Sequence, residues 1–152
     1  MNEYEYTDGS DALEARYLSG AIFFTGNMLY GLGYKNDESV SGLTYEKSTL
    51  RKTLNNPTTW GLEEFPSYLK AYVDTTEELA QVRGDKVWAL SVDEARRCLP
   101  LKYLNVAPTH LRSLKLENGS YTSYSVYGGS SKQIMEYSGL GTWPAAGAFE
   151  LV

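Results

Sequence analysis

Catalysis in this chain would have to come from very few residues. It holds one histidine, His110, and one cysteine, Cys98. Zinc centres draw three or four ligands, largely from His and Cys, so a protein-only zinc site is not expected. His110 is the sole histidine base for a Ser-His-Asp arrangement, which is recognised in space and not by chain order. No Gly-x-Ser-x-Gly elbow accompanies it. Beside Pro108 and ahead of "LRS", it reads as a packed or partly exposed strand residue. Cys98, in "DEARRCLP", reads as a small buried residue at a helix end. Being alone, it excludes an internal disulfide. The adjacent carboxylates Glu63-Glu64 and Glu77-Glu78 point apart on a helix or strand and read as solvated faces. "NDES" (36–39) offers oxygen ligands in a loop, without calcium-loop spacing or a bidentate Glu. "YGLGYKN" (30–36) has Gly31 and Gly33 but not the third glycine of a phosphate-cradling loop. The expectation is a chain with no catalytic residue, no metal and no cofactor.

Recognition is the better-supplied chemistry. In "ENGSYTSYSVYGGSSKQIMEYSGLGTWP" (117–144), more than half of the residues are Tyr, Ser or Gly. Tyr presents a large, stiff, amphipathic surface with two torsions to freeze, and Ser and Gly supply adaptable hydrogen bonding. The candidate contact residues are Tyr121, Tyr124, Tyr127, Tyr137 and Trp143, with Lys132 and Gln133 as polar contacts. Strand alternation places Tyr121 and Tyr127 on one face and Tyr124 on the other. The plain alternative is structural: Tyr, Thr and Val form strands, and Gly and Ser form turns. Asn118-Gly119-Ser120 fits a glycosylation pattern, but a hairpin turn accounts for it fully.

The elements that must position these residues can be read along the chain. Residues 1–20 form an N-terminal hairpin, with Tyr4 and Tyr6 alternating with acids and Asp8-Gly9 at the turn. "AIFFTGNMLYGLGY" reads as strand and loop, and 35–43 as an exposed loop. "YEKSTLRKTLNNP" is a helix capped by Ser48, with Leu50 and Leu54 on one face. "LEEFPSYLKAYV" is ambiguous, and Tyr68, Ala71 and Tyr72 favour a helical turn. "TTEELAQVRG" offers a capping box of Thr75 with Glu78 and a stop at Gly84. Val87–Leu90 form a short buried strand, and Ser91 with Glu94 caps the next helix. "LRSLKLENGSYTSYSVY" is a hairpin about a type I′ Asn-Gly turn. "PAAGAFELV" ends as a strand. These short strands, two or three short helices and long loops make an α+β domain of one unit, 1–152.

Four segments, in order, resemble an uncharacterised domain family of bacterial and phage proteins. They are "LTYEKSTLRKTLNN" (43–56), "DKVWALSVDEARRCL" (85–99), "HLRS" (110–113) and "GTWPAAGAFEL" (141–151). The resemblance spans roughly residues 40–152. It implies a C-type-lectin-like fold of short twisted antiparallel sheets, related to phage variable receptor-binding proteins and formylglycine-generating-enzyme-like domains. Departures from the family pattern are His110 in place of an aromatic and Trp143 in place of an arginine. The tripeptides of calcium-dependent lectins are absent.

The chain of 152 residues is 42% hydrophobic and 22% charged, with 13 tyrosines and a formal charge of -5. That charge argues against nucleic acid as a partner. The longest apolar run is too short to span a membrane. Met1 leads directly into acidic residues, so no signal peptide is expected, and the location implied is cytoplasmic or virion-associated. The leading expectation is a non-enzymatic recognition module for a protein or glycan, serving host interaction if phage-derived. The alternative is a small acidic inhibitor of anti-defence type. It would meet a basic host surface through Glu3, Glu5, Asp8, Asp11 and Glu14.

Overall fold

The computed structural model describes residues 22–25, 29–34, 42–98, 109–126 and 134–152. The N-terminal hairpin and most of the 35–43 loop lie outside these. The described chain is α+β, built from small antiparallel sheets and few helices.

Local chemistry explains most elements. Asn118 and Gly119 have φ of 51° and 79°, the two positive angles of a type I′ turn. They join β5 (Thr109–Glu117) to β6 (Ser120–Val126), and β7 (Ile134–Ser138) adds to the far edge of β6. Helix α1 (Thr49–Leu54) starts at Ser48, whose hydroxyl accepts from the Arg51 N–H at 3.0 Å. Its Leu50 and Leu54 are fully buried. Helix α2 (Val92–Cys98) opens on the expected capping box. The Glu94 N–H donates to the Ser91 hydroxyl at 3.1 Å, and the Ser91 N–H donates to the Glu94 carboxylate at 2.9 Å.

Three expectations are corrected. The 66–72 segment forms no helix, and Tyr72 opens strand β3 (Tyr72–Asp74). Thr75 caps nothing: Asp74 accepts from the Thr76 N–H at 2.9 Å, so the chain turns there, and a short 3-10 turn follows at Glu78–Ala80. Gly84 is not a stop but lies within β4 (Val82–Asp85), which pairs with β3. Val87–Leu90 is buried as expected, yet among the described residues it forms an isolated bridge and not a ladder: Trp88 exchanges N–H···O bonds of 3.0 and 2.7 Å with Ala148.

Strand β9 (Ala148–Glu150) is bonded on both sides. Strand β1 (Ile22–Phe24) pairs with it on one side, and Trp88 and Lys70 bond it on the other. Strand β2 (Leu29–Gly33) pairs with β8 (Thr142–Ala145). Between β8 and β9, Gly147 passes so close to Val87 that an added Cβ would lie 2.3 Å from its Cγ1. A glycine is needed there for space.

The core is one connected cluster that includes Tyr34, Tyr45, Trp88 and Leu111. Through it runs a charge. In β5, His110 pairs with Ser125 and Leu114 with Ser123, so residues 111–113 face Tyr124 alone. This bulge releases Arg112 from the ladder. Its N–H donates instead to Leu90 at 2.9 Å, and its carbonyl accepts from the Tyr34 hydroxyl at 2.5 Å. Its side chain is fully buried. Nε donates to the Ala80 carbonyl at 2.8 Å, and Nη1 donates to the Ala89 carbonyl at 2.7 Å and to the Glu94 carboxylate. Nη2 donates to the Asp74 carboxylate, and Tyr72 donates its hydroxyl to Glu94. Burial pulls the Arg112 pKa down, but Glu94 and Asp74 outweigh it and hold it above its ordinary value.

Arg112→Met keeps an unbranched stem and removes the fork, leaving Glu94 and Asp74 without their shared cation. We expect a loss of about 3–5 kcal/mol, read from the urea midpoint at pH 7. A change below about 1 kcal/mol would show the fork to be dispensable.

Candidate functional site

The β5-β6-β7 sheet sorts the expected contact residues by strand alternation. Tyr124 pairs with Glu136 across β6 and β7, so the two share a face, while Ser123 pairs with Tyr137 on the other. Tyr121 lies on the same face as Ser123.

Tyr124 forms part of the wall of an open groove of about 600 Å³. Its apolar lining comes from Leu79, Val92, Leu114 and Leu116, and its charges from Glu77, Glu78, Glu136, Arg96 and Lys115. Lys115 is held by Glu117 at 2.9 Å. Burial, then Glu136, raises the Tyr124 pKa, so the phenol stays protonated and able to donate. The Ser113 hydroxyl accepts from the Val92 N–H at 2.7 Å and donates to the Glu77 carboxylate at 2.8 Å. Glu77 therefore sits half-buried against β5, which corrects the expectation of a solvated face for the Glu77-Glu78 pair. Glu78, by contrast, is exposed, as are Glu63 and Glu64. Burial raises the Glu77 pKa above the ordinary carboxyl range, although the Ser113 bond and Arg112 oppose the shift. Among the described residues, no cation lies within ion-pair distance of Glu77.

The other expected residues separate from Tyr124. The Tyr121 hydroxyl accepts from the Leu43 N–H at 3.0 Å, so this ring ties the sheet to the chain ahead of α1. Tyr137 and Trp143 pack with ring centroids 4.2 Å apart, and the indole also covers Gly141. Tyr121, Tyr124, Tyr137 and Trp143 are each half-buried. Tyr127, Lys132 and Gln133 lie outside the described residues.

A second concavity was not foreseen. A pocket of about 280 Å³ is lined by Trp60, Phe65, Tyr68, Val87 and Phe149, with Leu62 at its edge. The Trp60 indole is fixed by donating to the Leu54 carbonyl at 2.9 Å. Phe149 is backed by Phe23, stacked at 5.7 Å. Tyr68 is 60% exposed. The sequence signal was "TWGLEEFPSY", four large apolar residues that follow neither a helical nor a strand period.

His110 is fully buried, not partly exposed, and lines neither concavity. Its ring lies 5.3 Å from that of Tyr34, and Nδ1 is 2.9 Å from the Leu111 carbonyl. Burial lowers its pKa, against the Leu111 and Gly141 carbonyls. Among the described residues, no group of three or more His, Cys, Asp and Glu side chains could hold a metal ion, and no helix is long and apolar enough to cross a membrane. Compared with family models, curated proteins and solved structures, the chain matches none.

Two expectations follow from these burials. His110 is the single histidine, so its imidazole resonances are unambiguous in a proton NMR titration. Their midpoint should fall below the ordinary value of about 6.5. Charging the ring then costs stability as pH falls from there through the folded-state value. A midpoint at or above 6.5 would contradict the burial. The Glu77 carboxyl has the opposite linkage. Its raised folded-state pKa contributes stability below the unfolded value of about 4.3, and that contribution is lost as pH rises through the folded value. Glu77→Gln should raise the urea midpoint at pH 7 and lose that advantage near pH 4. An equal gain at both pH values would remove the charge from the explanation.

Proposed function

We propose that the chain is a non-enzymatic recognition module of C-type-lectin-like fold, binding a protein or glycan through the groove beside Tyr124. The fold reading rests on the four resembling segments and on the pairing of β1 with β9, the first and last strands described. The observation that carries the function is Glu77, a carboxylate half out of water at a groove wall, beside a protonated phenol and apolar side chains. Groups that cost stability in a cleft are candidates for binding, because a ligand can satisfy what the fold does not. Carboxylates accept from sugar hydroxyls or peptide donors, and the Tyr124 ring supplies a stacking face. Half-burial holds that ring in place before a ligand arrives, which lowers the entropy lost on binding. In a phage setting, this would serve host interaction.

The acidic-inhibitor reading keeps one specific support. Glu77, Glu78 and Glu136 outnumber Arg96 and the already paired Lys115. The N-terminal acids named for it lie outside the described residues.

Glycan and peptide arrays probed with labelled wild type and Tyr124→Ala, at about 50 and 300 mM salt, separate the two. The recognition reading expects hits that weaken about tenfold in the variant at both salt levels. Hits unchanged by Tyr124→Ala would overturn it. Signal that collapses with salt and with Glu136→Gln, but not with Tyr124→Ala, would give the groove to a basic partner surface instead.

A further inference from the structure

The buried fork of Arg112 leaves one acid unanswered. Three carboxyl groups, those of Asp74, Glu77 and Glu94, act on one another around it. Nε and Nη1 go to the Ala80 and Ala89 carbonyls and to Glu94, and Nη2 goes to Asp74, so none of these bonds reaches Glu77. Glu77 is held instead by the Ser113 hydroxyl, 2.8 and 3.1 Å from its two oxygens. Ser113 lines the groove yet is only 5% exposed, with the carboxyl against it. The acid that the fold does not neutralise is therefore the one at the open wall.

The surroundings favour a neutral Glu77 for as long as it stays there. Burial disfavours the charge most, and Glu94 from α2 and Asp74 from β3 repel it, while the Ser113 bond and Arg112 from β5 oppose them. Tyr34 and Tyr124 are phenols whose pKa values Glu77 itself helps to raise. Around the groove, Glu78 and Glu136 add repulsion, whereas Arg96 and Lys115 counter it, Lys115 being already paired with Glu117. An ionised Glu77 gains by reaching water, but its backbone cannot carry it there. The Glu77 carbonyl accepts from the Ala80 N–H at 3.1 Å, and the Leu79 carbonyl from the Tyr45 N–H at 2.9 Å. Asp74 on one side and Ala80 on the other are bonded to Arg112. The way out is by side-chain torsion into the open groove.

We propose that Glu77 is a proton-operated latch on the Tyr124 groove: neutral, it closes over Ser113, and ionised, it turns into the groove's water and uncovers the Ser113 hydroxyl. The open form offers a ligand a carboxylate acceptor and a hydroxyl donor, and acidification withdraws both. Its use as a regulator rests on the groove being the binding site proposed above, but the latch is tested without a ligand, so either can fail alone. The probe is the isotope-labelled protein in an NMR titration from about pH 4 to about pH 8, across and above the carboxyl range. The through-space contact between the Glu77 side-chain protons and the Ser113 β-protons should be present at low pH. It should weaken at least about threefold as the Glu77 carboxyl carbon titrates. The Val92 amide, which donates to Ser113, should shift with the same midpoint. Glu77→Gln, neutral throughout, should keep the contact at both ends of the range and hold the Val92 amide still. A wild-type contact of constant strength through the Glu77 titration would overturn the proposal. A Val92 shift that persists in Glu77→Gln would overturn it equally, by assigning the change to another acid of the cluster.

Discussion

One guanidinium organises this fold. Burying a cation costs several kcal/mol unless its donors are met with good geometry. Arg112 meets them from four directions: the carbonyls of Ala80 and Ala89 and the carboxylates of Asp74 and Glu94. Those four residues belong to the 3-10 turn, the segment before α2, β3 and α2. None of these elements is long enough to hold its place by its own hydrogen bonds, since α2 has seven residues and β3 three. The planar fork is what makes this possible. A lysine would bring one point charge where several fixed directions are required.

The candidate groove inherits its shape from that fork. Leu111, Arg112 and Ser113 are buried in succession, which a regular strand with one wet face would not allow. The bulge opposite Tyr124 permits it, and each residue then serves a different neighbour. Leu111 fills the core, Arg112 gathers the loops, and Ser113 links Val92 to Glu77. Glu77 is thus held at the groove by a hydroxyl whose position follows from the arginine beside it. The groove and the core are two sides of one irregular stretch of β5.

What could be read in advance was what is decided locally. Ser48, the Ser91–Glu94 box and Asn118-Gly119 act within a few residues, and they form as their types predict. The failures share a different cause. "TTEELAQVRG" carries helical signals, but Asp74 captures the Thr76 N–H and Arg112 takes the Ala80 carbonyl, so the backbone turns away from a helix. Glu77 reads as a surface acid until β5 arrives against it. The aromatic pocket needs Phe149 from the last strand beside Tyr68 and Trp60, and no spacing rule links them. The tyrosines were legible as a group but not by role. Tyr121 ends as a tether, Tyr137 as a partner of Trp143, and Tyr124 as a groove wall.

That division of labour bears on how a tyrosine-rich surface can be specific at all. Fully exposed phenols on loops bind adaptably and lose freedom when they do so. Here Tyr121, Tyr124 and Tyr137 are each half-buried, and the Tyr121 hydroxyl is already engaged by the backbone. A ring held this way presents one face at one angle, so a ligand meeting it would be selected by fit and not by rearrangement. The same logic separates Tyr124 from Tyr68. Tyr124 sits among the charges of Glu77, Glu78, Arg96, Lys115 and Glu136, which would reward a ligand of matching polarity. Tyr68 is mostly in water beside an apolar hollow, and what it rewards is the removal of that surface from water. Two concavities of such different chemistry on one small domain would suit two kinds of contact better than one extended ligand.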